Sequence, residues 1–190
     1  MKLKLFIGSL VVIGISTIYL FFFAANETPE PAPTGTPSLP IATSSPNTSI
    51  FPSGTRTITI ITRAGTKIMV LDFINNGQTV ADAQNPGRYY LAGEVGYCLP
   101  DGSCPAGAPA EDYNVVYDLK EQFFTISLLD EPIGSARKNA EAFLLKVLGI
   151  SQTETCNLNY YVGTSIYVNE TYAGKNLGFS YCPGATKLPQ

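Results

Sequence analysis

The sequence predicts an α+β protein in which an N-terminal transmembrane helix precedes a small antiparallel sheet, packed on one amphipathic helix and stabilised by disulfide bonds. Three observations predict this fold: a long uncharged apolar stretch near the N-terminus, several short runs of alternating apolar and polar residues, and one run with helical periodicity. The 190 residues are 45% hydrophobic, and a disordered chain would contain far fewer such residues. We therefore expect one folded domain behind a membrane segment.

Residues 5–25 form an apolar stretch of 21 residues without a formal charge. As an α-helix they would extend roughly 31 Å, which matches a bilayer core of about 30 Å. A cleavable signal peptide is the alternative, but its apolar region is usually only about 7 to 15 residues long. We therefore expect residues 1–26 to hold a short cytoplasmic start and a retained transmembrane signal-anchor, through which the chain binds the membrane.

The distribution of basic residues predicts the orientation of this anchor. Lys2 and Lys4 precede the apolar stretch, whereas residues 26–55 contain neither Lys nor Arg. Positively charged residues flanking a span tend to stay in the cytoplasm. The sequence thus predicts a single-pass protein of the plasma or inner membrane with a cytoplasmic N-terminus. The C-terminal part is then extracytoplasmic, either periplasmic or at the cell surface.

Residues 27–54 have the composition of a linker. They contain seven of the fourteen prolines together with many Thr and Ser residues and only two charges. Proline lacks an amide hydrogen and restricts φ, so this stretch cannot build a sheet and favours extended conformations. We expect a proline-rich spacer here, followed by one domain over residues 55–190.

Two strand pairs and one helix stand out in this domain. Residues 57–62 and 67–73 are β-branched and apolar runs separated by a turn with Gly65, which predicts a hairpin. A second hairpin is predicted between residues 113–119 and 122–129, with Phe124, Ile126 and Leu128 facing the core.

Three later alternating runs predict two or three further strands, at residues 158–162, 166–168 and 177–181. A single helix would leave no connection for parallel strands, so we expect antiparallel pairing.

Residues 130–150 change from a strand period to a helical one, with apolar residues recurring at spacings of three and four. Asp130 and Glu131 place negative charge at the positive end of the helix dipole, and Pro132 suits a first turn. Gly149 suits a left-handed residue at the C-terminal cap. These signals predict one amphipathic helix.

The four cysteines predict two disulfide bonds. Disulfides are expected in an extracytoplasmic domain. Of the three pairings that four cysteines allow, we favour Cys98 with Cys104, because the loop between them is rich in turn residues, and Cys156 with Cys182. A zinc site of four thiolates is the alternative, but neither pair has the short spacing of a zinc knuckle.

Composition excludes several classes of function. The chain has no histidine, which removes catalytic triads built on imidazole and zinc sites with histidine ligands. A net charge of −3 leaves no basic surface for a nucleic acid. We expect no nucleic-acid partner, no cofactor, no metal and no catalytic residue of known type.

A binding domain is the function that these observations favour. In residues 156–169 the even positions are mostly apolar, so we expect the odd positions to form a polar face rich in tyrosine and asparagine. Such side chains suit a protein or an envelope polysaccharide as partner. The candidate binding residues are Tyr161, Tyr167, Asn157, Asn159 and Asn169.

Two other functions remain open. The domain could hydrolyse cell-envelope material with paired carboxylates, for which the candidates are Asp112, Asp118, Asp130 and Glu131. Each of these carboxylates also has a structural explanation in a loop, a turn or a helix end. The third function is a purely structural surface module.

Overall fold

The computed structural model describes residues 55–189 of the chain. The predicted membrane span at residues 5–25 and the predicted linker at residues 27–54 lie outside the described residues. Within residues 55–189, no helix is both long and apolar enough to cross a bilayer.

The described part of the chain contains seven strands and two helices. The strands are β1 (Thr57–Ile61), β2 (Lys67–Leu71), β3 (Val80–Ala81), β4 (Arg88–Ala92), β5 (Tyr113–Asp118), β6 (Phe123–Leu128) and β7 (Asn159–Thr164). The helices are α1 (Ile133–Leu148) and α2 (Gln152–Thr155), both between β6 and β7. The prediction of an α+β fold with one substantial helix is confirmed.

The strands form two sheets. β1 and β2 pair alone, and the other five strands form a sheet in the order β3, β4, β5, β6, β7. All neighbouring pairs are antiparallel except β6 and β7, which are parallel. The prediction of a purely antiparallel sheet is therefore wrong at β7. We expected parallel pairing to need more helices, but α1, followed by the short α2, supplies the single crossover that this pair requires.

The two predicted hairpins are confirmed. β1 and β2 enclose a turn in which Gly65 has φ +76°, a value that glycine adopts without strain. β5 and β6 pair over six residues each, and their alternate side chains are buried. Phe124, Ile126 and Leu128 are fully buried, as the alternation predicted.

The predicted helix is also confirmed. Pro132 precedes α1, and the carboxylate of Glu131 accepts a hydrogen bond from the amide of Ile133 (2.9 Å). Gly149 ends the helix with φ +65° and donates its amide hydrogen to Leu145. The helix contacts β2, β5 and β6. Its buried apolar side chains are Ile133, Ala136, Ala140, Leu144 and Leu148.

The chain after β7 does not contain the strands that the sequence predicted at residues 166–168 and 177–181. Those residues lie in turns and irregular structure. Leu177 and Phe179 are fully buried, so their alternation with polar neighbours reflects burial and not a pleated strand. The amide of Leu177 donates to the carbonyl of Val162 in β7 (2.7 Å), but no strand pairing follows.

A buried ion pair on α1 holds this irregular C-terminal segment. The guanidinium of Arg137 donates to the carbonyl oxygens of Leu177 (3.4 Å), Gly178 (3.3 Å) and Thr186 (2.8 Å). Glu141 lies one turn further along the helix, with Oε1 3.7 Å from Nε of Arg137, and accepts hydrogen bonds from the backbone and hydroxyl of Ser180. The two side chains thus replace the backbone partners that a strand would have supplied.

Both predicted disulfide bonds are present. Cys98 and Cys104 close an exposed loop, and their Cα atoms lie 4.0 Å apart. Cys156 and Cys182 join the end of α2 to the C-terminal segment, and their Cα atoms lie 5.5 Å apart. No free cysteine remains among the described residues, which contain all four cysteines of the chain.

The two disulfides should contribute unequally to stability. The sequence separations are 26 and 6 residues, so the chain-entropy model gives about 3.5 kcal/mol for Cys156–Cys182 and about 2 kcal/mol for Cys98–Cys104. We expect the double substitution of Cys156 and Cys182 by Ala to lower the free energy of unfolding more than the same substitution of the other pair. Urea unfolding of the full chain in detergent micelles measures both. An equal loss, or a larger loss from the exposed loop, would contradict this order.

Candidate functional site

The five-stranded sheet has one buried face and one open face. Successive residues of a strand point to opposite faces, and α1 packs on the face that carries Tyr117 and Phe124. The opposite face carries half-buried and exposed side chains, and we call it the open face. Its residues on the four longer strands are Arg88, Tyr90, Asn114, Val116, Asp118, Phe123, Thr125, Ser127, Asn159, Tyr161 and Gly163.

A groove of about 460 Å³ lies on the open face. It crosses β4, β5 and β6 and is bordered by the turn between β5 and β6. Aromatic, aliphatic and charged side chains meet in it. The lining residues are Arg88, Tyr90, Val116, Asp118, Glu121, Phe123 and Thr125.

Charges of both signs lie next to each other in this groove. Arg88 on β4 and Asp118 on β5 are directly opposite in the antiparallel register. Asp118 accepts hydrogen bonds from the amides of Lys120 (3.0 Å) and Glu121 (3.1 Å), which holds the turn. Glu121 forms an exposed ion pair with Lys120 (3.7 Å), which contributes little to stability in water. One cation and two carboxylates therefore border the groove.

Tyr90 stays a neutral hydroxyl in the groove. Burial raises the pKa of Tyr90 above its ordinary value of 10.0, and the negative charge of Asp82 acts in the same direction. Arg88 acts against this rise through its positive charge and a hydrogen bond to the Tyr90 hydroxyl. At neutral pH, Tyr90 can both donate and accept a hydrogen bond.

Asp82 stabilises the loop between β3 and β4, just before the strand that carries Tyr90. It is buried, and its carboxylate accepts hydrogen bonds from the amides of Gln84 (2.9 Å) and Asn85 (3.1 Å). It also accepts from the side chains of Asn85 (2.8 Å) and Tyr97 (3.0 Å). Burial alone would raise the pKa of Asp82, but these hydrogen bonds outweigh burial and hold the pKa below 3.8. The loop is thus tied to an ionised carboxylate.

The structure brings two of the five predicted binding residues to the open face. In the β6–β7 register, Asn159 lies beside Phe123 and Tyr161 lies beside Thr125. Both residues are therefore next to a residue that lines the groove. The amide side chain of Asn159 also donates to the carbonyl of Ile61 (3.4 Å).

Glycine on β7 sets the position of the Tyr161 ring. The ring edge of Tyr161 occupies the space where a Cβ of residue 163 would lie. Any side chain at Gly163 would displace the ring. The Tyr161 ring therefore rests on the open face over Gly163, next to Ser127 of β6 in the strand register.

The other three predicted residues lie elsewhere. Asn157 precedes β7, and its side chain donates to the carbonyl of Thr153 (3.2 Å). Tyr167, 96% exposed, lies in a turn after the end of β7, and Asn169 lies in irregular structure. Asn169 donates its side-chain amide to Glu131. The prediction of one strand face over residues 156–169 is wrong because β7 ends at Thr164, while a binding role for these residues stays a prediction.

The four carboxylates of the hydrolase hypothesis do not converge. Asp112 accepts a hydrogen bond from the side chain of Asn139 (2.7 Å), and Asp130 accepts one from the amide of Glu131 (2.8 Å). Of the four, only Asp118 lines the groove, with Glu121 as its neighbour. Residues 55–189 contain no cluster of three or more His, Cys, Asp or Glu side chains that could bind a metal ion.

Sequence reasoning missed most of the groove. Arg88 and Tyr90 lie on β4, a strand that we did not predict, although its Tyr-Tyr-Leu run is typical of strands. The sequence predicts a strand at Phe123 but assigns it no functional role. Val116 and Thr125 could have been assigned to the open face from their alternation with the buried Val115 and Ile126.

Comparison of the chain with protein-family models, with curated proteins and with solved structures finds no match.

Asp82 should make the stability of the domain sensitive to acid. Its folded-state pKa is lowered, so its contribution is present above the unfolded value of about 3.9 and is lost as the pH falls through the folded pKa. We expect Asp82→Asn to lower the free energy of unfolding at pH 7 and to reduce the difference between pH 7 and about pH 2.5. Urea unfolding at both pH values measures this difference.

Removal of one donor, by Tyr97→Phe, should have a smaller effect at pH 7 in the same direction. If Asp82→Asn left the acid dependence of unfolding unchanged, Asp82 would not be the ionised centre of this loop.

Proposed function

We propose that the protein is a membrane-tethered extracytoplasmic domain that binds a partner of the cell envelope through the groove on its open face. The observation that carries this proposal is the groove itself. Three neighbouring strands of a disulfide-bonded domain present aromatic and charged side chains in a concavity of about 460 Å³, within the size range of ligand sites. A sheet face that served only packing would be apolar and covered, as the face under α1 is.

The proposed location rests on the sequence and on the disulfides. Disulfide bonds persist in oxidising compartments and are rare in the cytosol, and both cysteine pairs are oxidised. The apolar stretch at residues 5–25, with Lys2 and Lys4 before it, supports a single span with the domain outside the cytoplasm. The proline-rich residues 27–54 would then separate the groove from the membrane surface.

A hydrolase is the second candidate, and one observation favours it: Asp118 and Glu121 both line the groove. Carboxylate hydrolysis needs one carboxyl group that gives a proton and a second that acts on the opposite side of the bond. Asp118 uses Oδ1 to accept two amides of its own turn, which is a structural role. Binding is therefore the function that the geometry supports best.

Photo-crosslinking of the full chain in its own membranes tests the proposal. A benzophenone amino acid replaces Val116 in the groove, and a matched chain carries it at Lys138, which is exposed on α1 on the other side of the sheet. We expect irradiation to produce a heavier adduct from position 116 and none from position 138. Arg88→Gln and Asp118→Asn together should remove the adduct. The pellet after alkaline extraction should contain the protein, because a spanning helix resists extraction.

Three results would contradict the proposal. The absence of an adduct at position 116 would favour a purely structural module, and equal adducts at both positions would indicate collisions without a site. Release of the protein by alkaline extraction would contradict the membrane tether. Turnover of envelope material by the unaltered chain, lost in the variant Asp118→Asn with Glu121→Gln, would identify the hydrolase instead.

A further inference from the structure

We infer that the groove binds a neutral polyhydroxylated chain, that is, an uncharged polysaccharide; this inference rests on the proposed function and adds the chemical class of its ligand. Three features support this ligand class: the mixed charges in the groove, the aromatic rings next to it, and the occupied backbone groups of the β7 edge.

The charges in the groove favour an uncharged ligand. The groove combines the guanidinium of Arg88 with the carboxylates of Asp118 and Glu121. An anionic polymer would meet the two carboxylates, and a cationic polymer would meet the guanidinium. A hydroxyl group donates to a carboxylate and accepts from a guanidinium, so adjacent hydroxyls on an uncharged chain satisfy Arg88 and Asp118 together. Hydrogen bonds to such charged groups are also stronger than those between neutral groups.

The aromatic rings match the other surface of a sugar. Tyr90 and Phe123 line the groove, and Tyr161 lies beside it in the β6–β7 register. Each ring offers a rigid apolar surface at a low entropy cost, and tyrosine adds a polar tip. A pyranose ring has C–H groups on its faces and hydroxyls around its edge. Aromatic rings next to hydrogen-bonding charges are complementary to that arrangement.

At the β7 edge of the sheet, next to the groove strand β6, a peptide strand finds no free backbone partner. β7 is the edge strand, and peptides that bind sheets usually add to such an edge through main-chain hydrogen bonds. Here the side chain of Asn176 accepts from the amide of Val162 (3.1 Å) and donates to the carbonyl of Tyr160 (3.3 Å). Leu177 donates to the carbonyl of Val162 (2.7 Å). The C-terminal segment therefore occupies the edge that an added strand would use.

Affinity electrophoresis tests the ligand class. The full chain, in a polyoxyethylene detergent that contains no sugar, migrates through native gels containing a neutral glucan, mannan, galactan or xylan. Parallel gels contain anionic polygalacturonate or cationic chitosan. We expect at least one neutral polymer to retard the protein and neither charged polymer to do so. The retardation should change by less than about twofold between low and high salt, because a neutral ligand has no charge to screen.

Two variants connect the retardation to the groove. Arg88→Gln and Asp118→Asn should each weaken the interaction by about tenfold, because each loses a hydrogen bond to a charged group. Asn at position 118 retains an oxygen that can accept the amides of the turn, so an unchanged Tm verifies the fold. Lys138→Gln, on the opposite side of the domain, matches the charge change of Arg88→Gln and should leave the retardation unchanged.

The inference is overturned if no neutral polymer retards the protein, if only a charged polymer does, or if a neutral polymer retards the groove variants as strongly as the unaltered chain. If no neutral polymer retards the protein but position 116 still crosslinks to a protein, the proposed function stands and the polysaccharide class is wrong. If crosslinking and retardation are both absent, the proposed function fails as well.

Discussion

The buried pair of Arg137 and Glu141 on α1 anchors the irregular chain after β7 to the helix. The chain after β7 enters the core without regular secondary structure, so its buried backbone groups need partners. Arg137 donates to three carbonyl oxygens of that segment, and Glu141 accepts from Ser180. A buried pair of this kind is costly to break because the remaining charge would be left without a partner. Together with the disulfide from Cys156, it fixes the C-terminal segment on the side of α1.

This arrangement has two consequences for the five-stranded sheet. The apolar side chains of β5, β6 and β7 are buried on one face only, because α1 and the C-terminal segment both contribute to that side. Asn176 and Leu177 also occupy the edge of β7, and sheet edges left free tend to pair with other chains. The open face, with its groove between Arg88 and Phe123, is thus the large surface of the sheet that packing leaves to other use.

The sequence predicted the elements whose signals are local. Helix α1, both hairpins and the two disulfides follow from period, turn residues and cysteine spacing, and each is confirmed. The alternation of Leu177 and Phe179 with polar neighbours predicts a strand at residues 177–181, yet Arg137, 40 positions before Leu177, donates hydrogen bonds to the carbonyls of Leu177 and Gly178. The parallel position of β7 likewise depends on a long-range packing that no local pattern contains. The groove combines β4, β5 and β6, and of its lining residues the site prediction named only Asp118; Asn159 and Tyr161 border it on β7.

Hydroxyl-radical footprinting of the full chain in membranes, read by mass spectrometry, tests the two-faced sheet most directly. Phe123 and Phe124 are neighbours in the sequence and equal in chemistry, but Phe124 is 0% exposed under α1 and Phe123 lines the groove. We expect oxidation of Phe123 and Tyr161 and protection of Phe124. Equal oxidation of both phenylalanines, or preferential oxidation of Phe124, would show that the sheet does not have one covered and one open face.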